Sequence, residues 1–181
     1  CDLLVSIPLG GYGGIIKQGN GIMTLSGGNS YNGATAVNGG TLLVDGSTAA
    51  ASAVTVVSGA TLGGSGWIGG AITVPGGATL APGSTAGATL TAGSSVTLGG
   101  RLAVAIDGAA NNSLAVAGNL NIAGSTLGIT VRAGGTGRSE YVLATFGSLT
   151  GSAFAAVEGL PPGYRLEYDL TGKQIRLVKI D

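Results

Sequence analysis

Histidine is absent from the 181 residues, and cysteine, methionine and tryptophan each occur once. Without histidine, the usual base of a serine or cysteine triad and the commonest metal ligand are both missing. The single cysteine, Cys1, has no internal disulfide partner. At the first position it fits a lipid-bearing residue, a cross-link between chains or the edge of an excised piece. Charge is scarce as well, at 9% of residues with a net of zero. That leaves no electrostatic footprint for nucleic acid, and the acidic residues are too sparse for a paired-carboxylate site. No apolar run reaches the roughly 18 residues that a membrane helix needs, and no basic segment leads into an apolar one as in a signal peptide. The chain does not begin with Met, so a processed or excised piece is expected.

Glycine, by contrast, supplies 37 positions, and 44% of residues are hydrophobic. The high hydrophobicity and low charge exclude a disordered chain, and glycine keeps no third-residue period of the collagen kind. The segments AVTVVSGATL at 53–62 and AITVPGGATL at 71–80 match at seven of ten positions, eighteen residues apart. A period near twenty, with β-branched alternation and glycine punctuation, is the pattern of a solenoid whose coils bury their apolar faces only by stacking. Short strands are predicted at Ile15–Lys17, Ile22–Leu25, Thr35–Val37 and Thr41–Val44, separated by Gly and Asn corners that tolerate positive φ. Leu3 to Ile7 is a further candidate strand, ended by Pro8 and the following glycines.

The run from Ile15 to Val44 resembles the repeat of bacterial autotransporter passenger domains. The resemblance is carried by Lys17, Gly19, Gly21, Thr24, Leu25, Ser26, Gly27, Asn29, Tyr31, Gly33, Thr35, Val37, Asn38, Gly40, Thr41 and Leu42. APGSTAGATL at 81–90 resembles another passenger segment, with Ala86 where a second proline is common, and residues 102–131 resemble the passenger's C-terminal stretch. The last part of the chain resembles the autochaperone region that closes such passengers just before a membrane barrel. The resemblance implies an all-β, right-handed single-stranded parallel β-helix of about 18–24 residues per coil, with a C-terminal antiparallel hairpin cap. It also implies export through the outer membrane to the bacterial surface or medium, and an upstream passenger and downstream barrel as partners.

On that reading residues 1–12 are unassigned, 13–140 form the coils and 141–181 form the cap. Thirteen of the sixteen charges and five of the eight aromatics support the division, falling beyond residue 100 and residue 140 respectively. In the cap, YRLEYDL at 164–170 should turn at Thr171-Gly172-Lys173 into QIRLVKI at 174–180. Tyr164, Leu166, Tyr168, Leu170, Gly172, Ile175 and Leu177 are its expected framework. Arg165, Glu167 and Asp169 share the other strand face; Glu167 and Asp169 should form cross-strand ion pairs with Lys173 and Arg176 rather than an acid pair beside Arg165.

The inward set is expected to be Ile22, Leu25, Val37, Leu42, Val44, Val54, Val56, Leu62, Ile72, Val74, Leu80, Leu90, Val96, Leu98, Leu102, Val104, Ile106, Leu114, Val116, Leu120, Ile122, Leu127, Ile129 and Val131, with Thr between them facing water. Gly64 to Gly69 spells G-x-G-x-x-G, but a strand follows it where a dinucleotide site needs a helix. Trp67 reads as a corner side chain packed on the coil in preference to a stacking platform, and Tyr31 as a packed or half-buried aromatic of the repeat. Asp107, Asn111 and Asn112 lack the carboxylate density of calcium loops and read as a polar turn. No catalytic residue, cofactor or metal is expected. Two functions fit: a non-enzymatic stalk and autochaperone segment, or an adhesin or filament subunit that self-associates through its ends or contacts a host surface ligand. A β-helix polysaccharide lyase or hydrolase would need clustered carboxylates and basic residues that the central coils lack.

Overall fold

A computed structural model describes residues 2–180. Cys1, and with it the lipid-site, cross-link and fragment-edge readings, lies outside the described residues. After β1 (Leu3–Val5), the first turn lays down β2 (Ile15–Lys17) and β3 (Ile22–Leu25). The second adds β4 (Thr35–Val37), β5 (Thr41–Val44) and β6 (Ser47–Thr48), and the third β7 (Val54–Val56), β8 (Thr61–Gly64) and β9 (Trp67–Ile68). The fourth is β10 (Ile72–Val74), β11 (Thr79–Pro82) and β12 (Thr89–Ala92). Then come β13 (Val96–Leu98), β14 (Arg101–Gly108), β15 (Ala110–Asn111), β16 (Ser113–Asn121), β17 (Thr126–Thr136), β18 (Glu140–Thr150) and β19 (Ala156–Glu158). A hairpin, β20 (Tyr164–Asp169) and β21 (Gln174–Lys179), ends the chain.

Strands of like position stack in parallel and build three faces. On the first face β2, β4, β7, β10 and β13 succeed one another, on the second β1, β3, β5, β8, β11, β14, β17 and β19, and on the third β6, β9 and β12. β16 then serves two faces: Ser113–Val116 joins β12 on the third, and Leu120–Asn121 joins β13 on the first. β18 repeats that course one turn later. At about 4.8 Å per rung, the eight strands of the second face make a rod roughly 34 Å long. The molecule is an all-β parallel solenoid.

The repeat seen in the sequence is the pairing register. Thr61 faces Thr79 and Leu62 faces Leu80, eighteen residues apart, while Ile72 faces Val96, twenty-four apart. The last turns exceed the expected 18–24: Arg101 faces Thr126, twenty-five residues on, and Thr126 faces Ala156, thirty on. The added length is a ribbon that leaves the coil, where β14 turns back into β15 at Asp107↔Ala110 and Gly108 still meets Thr136 of β17.

Of the twenty-four residues expected inward, all but Ile22 and Val131 are buried. Ile22 is 40% exposed because it shares its ladder with Thr41 and Thr61, the outward row of the second face. Met23, one residue on, holds the inward ladder with Leu42 and Leu62. Val131 stays in register with Ile106, but β17 has there run past the core into the ribbon, which leaves Val131 38% exposed. Thr55, Thr73 and Thr97 point to water, as alternation requires, whereas Thr35 shares the inward ladder of Val54 and is buried. The Leu3–Ile7 strand ends at Val5, and Ile7 is exposed.

Candidate functional site

Three of the repeat's residue groups sit at the corners of the solenoid, where backbone polar groups leave the ladders and need partners. At the first-to-second corner the side chain of Lys17 is buried, and its Nζ donates to the carbonyls of Gln18 at 3.0 Å, Gly19 at 2.8 Å and Gly39 at 3.0 Å. The Asn38 amide returns a bond to the Lys17 carbonyl. Gly40 must be glycine here: its φ is +61° and a Cβ would fall 2.4 Å from the Gly21 carbonyl oxygen. Gly19 takes positive φ in the same turn.

Asn29 does the same work at the second-to-third corner. Its Nδ2 donates to the Gly27 and Ser47 carbonyls, both at 2.9 Å, and its Oδ1 accepts from the Leu9 amide at 3.0 Å, so one buried amide ties three turns. Gly27 and Gly33 sit at close backbone approaches to the preceding turn, at Ile7 and Gly13. Tyr31 is buried, and its hydroxyl lies 2.7 Å from Thr35 Oγ1, which meets Ser52 Oγ at 3.2 Å. Leu25, Val37 and Leu42 lie in the core, and Thr24 stands half-buried in β3 between Leu4 and Leu43. These motif residues serve the corners and the core, and the polar Lys17 and Asn29 are both buried.

At the other end β21 pairs antiparallel with β18 and with β20, so the hairpin closes the last edge of the third face. Tyr164, Ile175 and Leu177 are buried, and Leu166 and Tyr168 pack on the core from its edge. Tyr164 lies 5.9 Å from the ring of Tyr141 and donates its hydroxyl to the Arg138 carbonyl. Tyr168 lies 6.3 Å from Phe154 and accepts the Phe154 amide at 3.0 Å, while burial pushes its phenol pKa up.

Arg176 organises the outward face of the hairpin, reaching Glu167 at 2.7 Å, Glu140 at 3.3 Å and Asp169 at 3.6 Å. Its hydrogen bond holds the Glu167 carboxyl below the ordinary range and raises the guanidinium in return. Two expectations fail. Leu170 is 66% exposed, because the strand ends at Asp169 and Leu170 opens the turn. Lys173 joins no ion pair among the described residues; it takes the left-handed backbone at φ +55°, while Gly172 donates its amide to Asp169 Oδ1 at 2.7 Å.

The opposite end of the rod has no such hairpin among the described residues. β1 and β2 each have one strand neighbour, and Leu3, Leu4, Ile16 and Ile22 are exposed. A cleft of about 410 Å³ opens there between Leu3, Ile16, Lys17, Ile22 and Met23. Asp107 accepts the Gly134 amide, and Asn111 and Asn112 bond to backbone carbonyls, a polar turn on the ribbon. After Gly64–Gly69 comes the strand β10. Among the described residues no cluster of His, Cys, Asp or Glu is placed to hold a metal.

Backbone ladders, corner side chains and a hairpin over the third face define a parallel β-solenoid. Within it, residues 15–44 match the family described as Passenger-associated-transport-repeat, a span that opens with the first residue of β2 and ends with the last of β5. The repeat points to an autotransporter passenger-associated domain, and hence to export to the surface or medium. Compared with the curated proteins, the chain has no match.

Proposed function

We propose that this chain is the stalk and autochaperone segment of an exported passenger, a non-enzymatic rod that folds from its hairpin-bearing end. The observation that carries the reading is the hairpin: β20 and β21 cover the third face at one end, where β19 still leaves the second face an edge, while β1 and β2 leave uncovered edges at the other. An open edge of unpaired N–H and C=O groups is a template for the next strand, and in a solenoid each coil is stabilised chiefly by its neighbour. The hairpin supplies the first fixed edge, and coils add towards the N-terminus. Upstream passenger coils are the partner expected on β1 and β2, and a membrane barrel the partner beyond the hairpin. Removing residues 160–181 and following refolding tests this. Slower refolding and greater protease sensitivity of the remaining coils are expected; an unchanged rate would remove the template role.

A second reading, self-association through the open end, is favoured by the exposed Leu3, Ile16 and Ile22 around the cleft. Sedimentation at increasing protein concentration separates the two, since a monomer at every concentration rules out assembly by this chain alone.

A further inference from the structure

The single tryptophan, expected as a packed corner side chain, instead stands in strand β9 on the outside of the rod, where strand alternation turns it outward. Trp67 is 45% exposed, and its indole leans over Gly93 of the next turn, where a Cβ would come within 2.3 Å of the ring. Glycine there lets the ring lie close against the third face. Trp67 stands in one outward row running the length of that face: Ser47, Trp67, Thr91, Ala115, Thr145 and Gln174 are successive register partners. The residues beside them, Thr48, Ile68, Ala92, Ala144 and Ile175, are buried, so the row is a surface set by alternation. No member is charged. The side-chain oxygens of Ser47, Thr91 and Thr145 and the amide of Gln174 make no hydrogen bond to the described residues.

We propose that this row binds an uncharged saccharide chain, with the indole of Trp67 under the flat C–H face of one pyranose ring. Each property of the row bears on that choice. An exposed aromatic ring combines an apolar surface with a wet edge, which suits a sugar whose one face is C–H and whose rim is hydroxyl. Unengaged hydroxyls on every second rung, about 9.6 Å apart, and an amide one rung beyond the last offer donors and acceptors to the rim along an extended glycan. A row without charge gives an acidic polysaccharide nothing to pair with. A second copy of this chain is a poor occupant, since a stable interface buries about 800 Å² per partner and the row offers one indole among small side chains. The surface is flat, so affinity for a single chain is weak, and repeated sugars gain by multivalency.

Trp67 is also the only indole fluorophore, so its emission reports this surface alone. The full chain is titrated with cellohexaose, maltohexaose and, as the charged control, a hexamer of galacturonate. A saturable change with a neutral hexamer and none with the galacturonate is expected. Ligand-observed NMR then compares variants: Trp67→Ala should weaken binding at least about tenfold, and Trp67→Phe should stay within about threefold, since it keeps an aromatic face. Where Trp67→Ala fails to fold, Thr91→Val leaves the indole in place and must still weaken binding severalfold. No response to either neutral hexamer overturns the proposal. So does equal binding by Trp67→Ala, or an emission change that follows protein concentration without sugar.

Discussion

The ammonium of Lys17 donates to the carbonyl of Gly39, 3.0 Å away, and so reaches from one turn of the rod into the next. Two more carbonyls of its own corner, Gln18 and Gly19, complete its shell. Bonds from a charged donor to buried acceptors are among the stronger ones. Lys17→Met keeps the aliphatic stem and strands those carbonyls; a loss on the order of 2 kcal/mol is expected. Denaturant melts give the magnitude, and faster hydrogen exchange at Asn38, whose amide bonds to the Lys17 carbonyl, gives the place. Unchanged exchange there would show that water replaces the lysine at little cost.

Two corner glycines with positive φ separate backbone strain from collision. Gly59, at φ +83°, has open space where a Cβ would stand, whereas Gly64, at φ +114°, would place a Cβ 2.2 Å from the Val44 carbonyl oxygen. Gly59→Ala should cost about 1–2 kcal/mol, the ordinary left-handed penalty. Gly64→Ala should cost about 3 kcal/mol or more, because coil spacing must change as well. Equal losses in a thermal melt would contradict close stacking at that corner.

Arg101 on β14 passes over Gly128 of β17 to pair with Glu158 on β19, clasping three rungs of the second face. Both side chains are well exposed, at 39% and 58%, so a double-mutant cycle should return less than about 1 kcal/mol, falling with salt. Gly128→Val should give nearly the same loss as Arg101→Ala and abolish the coupling, because the new side chain occupies the guanidinium's path. A coupling that salt leaves unchanged would mean the pair is less solvated than its exposure indicates.

Acid should loosen the hairpin before the rod. The Arg176 bond depresses the Glu167 carboxyl below its ordinary 4.5. A depressed carboxyl contributes stability that is complete above its unfolded value and is lost as pH falls through the folded one. Protection of the β20 and β21 amides, after correction for the intrinsic slowing of exchange in acid, should therefore fall below about pH 4.5 in the native protein, and Glu167→Gln should remove much of that dependence. A pH response confined to the central coils would be at odds with this assignment.

Much of this was readable from residue order because a solenoid writes its pairing into its period. Val54 and Ile72 occupy equivalent places in the repeated segments, and they face each other across the first face. The third face was not legible: Ser47–Thr48 and Trp67–Ile68 are two-residue strands, too short to show alternation. Its outward row, with Trp67, emerges only from the register. Ile22 misled because it follows glycine at a strand start, where one residue decides which side faces the core. The corner duties of Lys17 and Asn29 were invisible for a different reason, since their partners are backbone carbonyls whose positions depend on turns one coil away. In the cap Tyr164, Leu166 and Tyr168 lie on the core side and β20 ends at Asp169, whose Oδ1 accepts the Gly172 amide in the turn that follows.

The central claim is that the rod forms from its hairpin-bearing end, and pulse-labelling hydrogen exchange during refolding tests it most directly. Amides of β16, β18, β20 and β21 should gain protection first, followed by β13 to β10, with β2 to β5 last. Protection appearing first in β2 to β5, or in all coils at one rate with and without residues 160–181, would contradict it.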